Sequence, residues 1–158
     1  MMPIIRIPVQ RDQDARDLPL PRYATSGSAG MDLHAAVPID EPLTIPPGEH
    51  RQVSTGIRIA LPHGYEAQVR PRSGLALRNA VGMVNSPGTI DSDYRGVISV
   101  ILINWGPAPF EIRRGDRIAQ LVVAPVARVE LREMELLDST IRGDGGFGST
   151  GAARDHGL

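Results

Sequence analysis

Proline and glycine interrupt this chain so often that long helices are excluded over most of its length. The 158 residues include 14 prolines and 17 glycines, and short runs rich in valine and isoleucine stand between them. Proline breaks the interior of a helix, whereas β-branched residues favour extended backbone. The pattern predicts a mainly β domain of many brief strands separated by turns.

Six segments carry the apolar alternation or the continuous apolar run of a strand. GVISVILIN is almost wholly apolar, which predicts a strand buried on both faces. In ARVELRE the alternation of Val129 and Leu131 with charged residues favours a strand over a helix. The six segments are IIRIPV (4–9), RQVSTGIRIAL (51–61), YEAQVRP (65–71), GVISVILIN (96–104), RIAQLVVAPV (117–126) and ARVELRE (127–133).

One short helix is predicted within SGLALRNAVG. Ser73 has the hydroxyl of an N-cap, LALRNAV forms the body, and Gly82 supplies the stop. The predicted fold is therefore all-β with one short helix, and a sandwich, a jelly roll and a distorted barrel all satisfy the pattern.

Composition limits the function classes. The length and the 41% apolar content predict one globular domain. A net charge of −1 argues against a broad nucleic-acid-binding face. The chain has no cysteine, all 17 basic residues are arginine, and the four histidines are scattered. These counts exclude disulfides, thiolate metal sites and lysine chemistry, and with no apolar membrane span they predict a cytoplasmic protein that binds neither membrane nor nucleic acid.

The segment RGDGGFGSTG, residues 142–151, is rich enough in glycine to be either a disordered tail or a clamp for an anion. It nearly matches the dinucleotide and P-loop patterns. Both patterns need a helix after the glycines to hold phosphate, and AARDHGL is too short to form one. The guanidinium, the aromatic ring and the two hydroxyls among the glycines are more than a spacer requires.

Three further stretches carry side chains suited to chemistry. GTIDSDYRG places Asp91 at a predicted hairpin, where a carboxylate held by a strand can act as a general base. PRSGLA puts Arg72 and Ser73 at the start of the predicted helix, a favourable place for an anion. AGMDLHAA sets Asp32 among apolar residues, where a carboxylate needs hydrogen bonds or a metal. Together these groups indicate binding or hydrolysis of a nucleotide.

In order and spacing, AGMDLHAA, PRSGLA, GTIDSDYRG, RGDRIAQLV and RGDGGFGSTG resemble the five motifs of the trimeric dUTPase family. The resemblance runs from about residue 29 to 151. It implies a jelly-roll-like distorted β-barrel, a homotrimer with active sites at the subunit interfaces, and hydrolysis of dUTP to dUMP and diphosphate with Mg²⁺. Such a reaction keeps uracil out of DNA and supplies dUMP for thymidylate synthesis.

The same resemblance assigns the site residues. Asp91 is implied to activate the water that attacks the α-phosphorus, whereas Asp93 is given no catalytic role. Asp32 is implied to act through a metal-bound water or by supporting the catalytic carboxylate, and no direct protein ligand to the metal is expected. The implied substrate-binding residues are Arg72, Ser73, Gly74, Asn85, Thr89, Ile90, Tyr94, Gln120, Arg142, Phe147, Gly148, Ser149 and Thr150.

The resemblance also implies a division of the chain. Residues 1–141 would form the β domain with four motifs, and residues 142–158 a flexible arm that closes over another subunit's site. In that arm Phe147 would stack on uracil while Arg142, Ser149 and Thr150 hold the γ-phosphate. Two alternatives stay open: a related deaminase acting on dCTP, and a non-catalytic nucleotide-binding protein that keeps the fold.

Overall fold

The computed structural model describes residues 4–146, and this part of the chain is built mainly from short strands. Eleven strands, one α-helix and one 3₁₀ turn (Gln13–Ala15) form its regular structure. The helix is α1 (Ser73–Asn79). The strands are β1 (Val9–Arg11), β2 (Met31–His34), β3 (Leu43–Ile45), β4 (His50–Ser54), β5 (Ile57–Ile59), β6 (Tyr65–Arg70), β7 (Val81–Met83), β8 (Gly88–Ile90), β9 (Ser99–Asn104), β10 (Phe110–Ile112) and β11 (Arg117–Pro125).

All of the strand pairings are antiparallel. A four-stranded sheet has the order β2-β11-β6-β8, and a three-stranded sheet has the order β4-β9-β7. Two small sheets, β1-β5 and β10-β3, complete the arrangement. No helix within residues 4–146 is long and apolar enough to cross a membrane.

The core is built from the alternate residues of these strands. On β6 the side chains of Ala67 and Val69 are buried, whereas their neighbours along the strand are not. The same period of two appears on β9, where Val100 and Leu102 are buried and the intervening isoleucines are half-buried. The predicted burial of β9 on both faces is therefore too strong, because within one chain only one of its faces packs into the core.

Asn104, the last residue of β9, is a fully buried polar residue. Its Nδ2 donates to the carbonyl oxygens of Ile45 (2.9 Å) and Ala108 (2.8 Å), and its Oδ1 accepts from the Gly106 amide at 2.9 Å. A buried amide is tolerated when its polar atoms are paired in this way. Asn104 consequently ties β9 to β3 and to the loop that precedes β10.

The helix is present, but its predicted caps are wrong. The N-cap is Arg72, which makes no side-chain capping hydrogen bond, and Ser73 is already helical. The helix ends at Ala80, which is left-handed (φ 53°). Gly82 instead lies in β7, where an added Cβ would stand 2.3 Å from Cζ3 of Trp105. That glycine makes room for the indole ring.

Two strand predictions near the ends of the β domain differ from the structure. Residues 127–133 form no strand in the described chain, and Val129 and Leu131 are 81% and 93% exposed. Of residues 4–9 only Val9 is in a strand. Alternation suits a segment to a sheet, but a strand also needs a neighbour to pair with, and residues 127–133 pair with none in the described chain.

The chain divides into two compact units, Met1–Arg128 and Val129–Leu158. Every helix and strand given above lies in the first unit. The boundary after Arg128 reflects how densely each part of the chain packs. The predicted division after residue 141 was based on the glycine-rich motif and stays a prediction.

Candidate active site

One cluster of predicted site residues surrounds the Asp32 carboxylate on β2. Arg72 Nε lies 3.2 Å from Oδ1, and Arg117 Nη1 lies 3.2 Å from Oδ2. The Arg72 contact is an ion pair without hydrogen-bond alignment, so the buried Oδ1 accepts no hydrogen bond. Arg72 Nη1 donates instead to the carbonyl oxygen of Arg117 at 3.0 Å. Asp32 therefore holds a guanidinium predicted to bind phosphate, a contact that the sequence did not reveal.

Gln120 joins this cluster through the strand register. It lies opposite Asp32 in the β2–β11 pair, so both side chains project from the same face of the sheet. Gly30 packs beside it, since a Cβ there would stand 3.4 Å from Cβ of Gln120. The structure thus brings Asp32, Arg72 and Gln120 together, and their predicted roles towards phosphate and metal stay predictions.

Ser73 and Gly74 form the first turn of α1, directly after Arg72. An added Cβ on Gly74 would stand 2.8 Å from Nη2 at the far end of the Arg78 side chain. The guanidinium of Arg78 consequently lies over the start of the helix, next to the residues predicted to bind phosphate.

A second cluster forms a cavity of about 280 Å³ beside the β8 hairpin. It gathers the five residues predicted to bind the nucleoside or to activate water, which are Asn85, Thr89, Ile90, Asp91 and Tyr94. Its other lining residues are Gln52, Val69, Met83, Gly88, Val97, Ser99 and Ile101. Asp91 follows β8 directly and its carbonyl oxygen accepts from the Tyr94 amide at 3.2 Å, which closes the turn that holds the carboxylate.

Two glycines set the side-chain positions in this cavity. The Tyr94 ring lies over Gly96, where a Cβ would stand 2.2 Å from the phenol oxygen, and that oxygen donates to the Val97 carbonyl at 3.1 Å. Across the cavity, a Cβ on Gly88 would stand 3.2 Å from Nδ2 of Asn85. Gly96 lies two residues after Tyr94 in the sequence. That spacing alone does not show why the residue is glycine; the reason is the position of the Tyr94 ring in the folded chain.

The two clusters are well separated within one chain. Asp32 lies on β2 and Asp91 directly follows β8, and these are the outer strands of one sheet, with β11 and β6 between them. The registers also set them about four residues apart along the strands. Strand spacings of about 4.8 Å and a rise of about 3.3 Å per residue put the Cα atoms of the two residues about 20 Å apart. No hydrogen bond or ion pair joins the clusters in residues 4–146.

The glycine-rich segment is described only at its beginning. Arg142 is exposed, and its Nε donates to the carbonyl oxygen of Gly145 at 2.8 Å. Phe147, Gly148, Ser149 and Thr150 lie outside the described residues, so their predicted contacts with substrate stay predictions.

His34 is a neighbour of the Asp32 cluster that the motifs did not single out. Its Nδ1 is shielded from solvent and has no hydrogen-bond partner in the described chain. Burial is the main cause that lowers the pKa of His34; Arg117, Arg22 and Arg72 act in the same direction, and Asp32 opposes them. Burial and the neighbouring arginines therefore disfavour protonation of the imidazole.

Comparison with known proteins shows which family this chain belongs to. Residues 16–151 match the sequence model of the dUTPase family, which spans both clusters and the glycine-rich motif. The chain belongs to the dUTPase family. Its reaction is the hydrolysis of dUTP, so the predicted family and activity are confirmed.

Two relatives are both called deoxyuridine 5′-triphosphate nucleotidohydrolase. The protein of Maricaulis maris is 61% identical over 134 residues, which cover 85% of this chain and 88% of that protein. The protein of Methylocella silvestris is 55% identical over 149 residues, which cover 94% and 93%. These names describe a hydrolase, and they favour neither the deaminase nor the non-catalytic alternative.

Solved structures show the same fold. A mutant dUTPase of Staphylococcus bacteriophage 80alpha bound to dUpNHpp has a TM-score of 0.81 at 24% identity, covering 92% of this chain and 98% of that one. A mutant dUTPase of phage phi11 of S. aureus, described with a structural Mg(II) ion, has a TM-score of 0.73 at 21% identity, covering 84% and 98%. At these identities the likeness shows the fold alone, and the predicted dUTPase-like β fold with one short helix is confirmed.

Proposed function

We propose that this dUTPase hydrolyses dUTP to dUMP and diphosphate at sites that different copies of the chain build together within a homotrimer. The observation that carries this proposal is the strand order and register, from which ideal sheet spacings put the Asp91 cavity about 20 Å from the Asp32 cluster. A general base must lie within about 3 Å of the water it activates, and that water must reach the bound phosphate. One chain alone keeps its base and its phosphate-binding arginine too far apart.

The cavity beside the β8 hairpin is the proposed nucleoside site. Its volume of about 280 Å³ is at the low end of the range for ligand pockets, which suits a nucleoside better than a whole triphosphate. The Asn85 amide and the backbone of Thr89 and Ile90 would read the uracil edge. Tyr94 would pack against the deoxyribose, where a 2′-hydroxyl would collide with the ring.

Asp91 is the proposed general base. It lies at the rim of the nucleoside cavity on a turn held by β8, which keeps the carboxylate oriented. It would take a proton from water as the water oxygen bonds to the α-phosphorus and the bond from that phosphorus to the bridging oxygen breaks, so that diphosphate leaves. Phosphoryl transfer needs mainly alignment and charge stabilisation, and no covalent nucleophile on the protein is required.

The Asp32 cluster of a neighbouring copy would bind the phosphates. Arg72 offers a planar guanidinium suited to phosphate oxygens, while Ser73, Gly74 and Gln120 add hydrogen-bonding groups on the same side. Asp32 keeps Arg72 in place before substrate arrives, because their ion pair restricts the long side chain. Ordering the arginine in advance lowers the entropy lost on binding.

The residues present fit a metal that arrives with the substrate. No group of three acidic, histidine or cysteine side chains in residues 4–146 could form a metal site. Mg²⁺ is commonly held by substrate phosphates and water with few protein ligands. Asp32 would contribute through a metal-bound water and not as a direct ligand. When bound, the ion neutralises charge on the triphosphate.

Exposed apolar surface supports the assembly of several chains. Six large apolar side chains between residues 129 and 141 are at least 68% exposed, namely Val129, Leu131, Met134, Leu136, Leu137 and Ile141. A separate apolar groove of about 670 Å³ lies in the first unit, lined by residues that include Ile4, Val9, Leu20, Tyr23 and Val123. Contiguous apolar surface on this scale marks a contact with another molecule. A head-to-tail interface repeated three times closes into a ring with three equal sites.

The glycine-rich arm is proposed to complete each site. Glycine allows backbone to approach phosphate closely and to change conformation at low cost. Arg142 and Phe147 would contribute a guanidinium and an aromatic face to the bound nucleotide. Removing residues 142–158 is expected to leave the β domain folded and to abolish most turnover, whereas unchanged turnover would contradict the proposed clamp.

The first experiment measures diphosphate release with Mg²⁺ from dUTP beside dCTP, dTTP and UTP. We expect dUTP alone to be turned over, and Asp91→Asn to lower the rate by at least about 100-fold. Ammonia release from dCTP would contradict the proposal in favour of deamination. Binding of dUTP without any turnover would also contradict it.

A mixing experiment tests whether copies share the site. Asp91→Asn and Arg72→Ala chains are each prepared, shown to be inactive, then unfolded and refolded together in equal amounts. If each site takes its base from one copy and its arginine from another, random assembly restores about a quarter of wild-type turnover. If both groups act from the same chain, the mixture stays inactive and the shared-site proposal fails.

A further inference from the structure

We propose that Arg70 is an additional phosphate-binding residue of this site, held in position by Gln68 and Glu66. The inference rests on the proposed phosphate role of the Asp32 cluster. Arg70 lies outside the five motifs, and no role was predicted for it from the sequence. Three features of β6 carry the argument.

The first feature is the strand register. Arg70 lies directly opposite Gln120 in the β6–β11 pair, and Gln120 lies directly opposite Asp32 in the β11–β2 pair. Residues that face each other in antiparallel strands project from the same face, with their Cβ atoms about 5 Å apart. Arg70, Gln120 and Asp32 therefore form one row across the sheet, and Arg70 stands beside a side chain proposed to bind phosphate.

The second feature is a ladder of hydrogen bonds along β6. Arg70 donates to Gln68 Oε1 from both Nε (3.1 Å) and Nη2 (2.8 Å). Gln68 Nε2 in turn donates to Glu66 Oε1 at 2.7 Å. The three residues are spaced by two, so they share one face of the strand. Glu66 orients the Gln68 amide, and the amide oxygen then fixes the guanidinium.

The third feature is the charge that remains on Arg70. Arg72 and Arg117 both pair with the Asp32 carboxylate, whereas no carboxylate lies within 4.0 Å of Arg70 in residues 4–146. Gln68 is neutral, so it positions the guanidinium without cancelling its charge. Nη1 donates to nothing in that same stretch of the chain. Arg70 thus presents an ordered, uncompensated donor group, which is what an added phosphate contact requires.

The test compares binding of the triphosphate analogue dUpNHpp with binding of deoxyuridine, which lacks phosphate, by calorimetry on the assembled enzyme. Arg70→Ala is expected to weaken dUpNHpp binding at least about tenfold and to leave deoxyuridine binding unchanged. It should also reduce the salt dependence of dUpNHpp binding, since one phosphate contact is lost. Arg70→Lys should restore part of the affinity, because it keeps the charge without the planar fork.

Two further variants separate positioning from general damage. Gln68→Leu is expected to weaken dUpNHpp binding less than Arg70→Ala does, again without affecting deoxyuridine. Arg51→Ala is the matched control, because Arg51 is likewise a strand arginine tied to a residue two positions earlier, in this case Glu49. The Arg51→Ala enzyme should bind dUpNHpp and deoxyuridine as tightly as the wild type does.

The proposal would be overturned if Arg70→Ala bound dUpNHpp as tightly as the wild type. Equal weakening of dUpNHpp and deoxyuridine would overturn it too, because that result indicates a structural role. Either failure leaves wild-type turnover of dUTP intact, so it is distinguishable from failure of the proposed function, in which the wild-type enzyme itself would not release diphosphate.

Discussion

Replacing Gly96 with alanine should displace the Tyr94 ring and weaken the discrimination between dUTP and UTP. The added Cβ would stand 2.2 Å from the phenol oxygen and 2.4 Å from Cζ of Tyr94, so the ring must leave its place. Its hydrogen bond to the Val97 carbonyl, 3.1 Å long, would be lost with it. That bond is worth about 1 kcal/mol, and the free energy of unfolding should fall by about this amount.

The effect on selectivity should be larger than the effect on stability. A pocket wall that excludes one small group contributes about 1–3 kcal/mol to discrimination, which corresponds to about 10- to 200-fold. If the ring excludes the 2′-hydroxyl, its removal should lower the ratio of kcat/KM for dUTP to that for UTP by at least about tenfold. The assay is diphosphate release from each nucleotide by the assembled enzyme.

Two controls make this result interpretable. Gly27→Ala adds the same methyl group where nothing lies within 4 Å, and it should leave both the ratio and the stability unchanged. Tyr94→Phe keeps the ring and removes only the hydroxyl, so it should preserve most of the discrimination. A Gly96→Ala enzyme with wild-type selectivity would refute the reasoning, because the ring could then be moved without admitting the ribonucleotide.

Two further predictions concern stability. Asn104→Ala should lower the free energy of unfolding by about 3–5 kcal/mol, because two buried backbone groups and one partly buried one lose their partner. Urea unfolding at fixed protein concentration measures this change, and a loss below about 1 kcal/mol would contradict the account. The pKa of His34 is lowered in the fold, so the unfolded chain binds more protons, and stability should fall as the pH drops from about 6.5 towards the folded pKa. The melting temperature of His34→Gln should therefore depend less on pH in this window than that of the wild type or of the exposed-site control His63→Gln, and equal slopes would count against burial of the imidazole.

Much of the fold followed from local pattern. The segment RQVSTGIRIAL (51–61) was predicted to be extended, and in the structure it carries the end of β4 and all of β5, with Val53, Ile57 and Ile59 buried. Alternation is reliable for this purpose because side chains on a strand take opposite faces in turn, whatever the rest of the chain does. The same alternation wrongly predicted a strand for residues 127–133, because periodicity does not show whether a partner strand exists.

The motifs named the candidate site residues, and the structure shows which of them lie together. Asn85, Asp91 and Tyr94 line one cavity, whereas their roles towards substrate stay predictions. The helix caps were wrong for a tertiary reason. Arg72 precedes the helix, and its side chain reaches Asp32 and the Arg117 carbonyl instead of capping α1. No local rule could anticipate partners so distant in sequence.

The sequence by itself determined the class of fold, the family and the set of chemical groups, because strand periodicity, turn residues and motif spacing are written locally along the chain. Only the tertiary structure decided how those groups are distributed. Strand order and register put Asp32 and Asp91 on opposite strands of one sheet, and they set Arg70 beside Gln120. Pairing between strands depends on the packing of the whole core. The separation of Asp32 and Asp91, which supports a site shared between copies, can therefore be seen only in the folded chain.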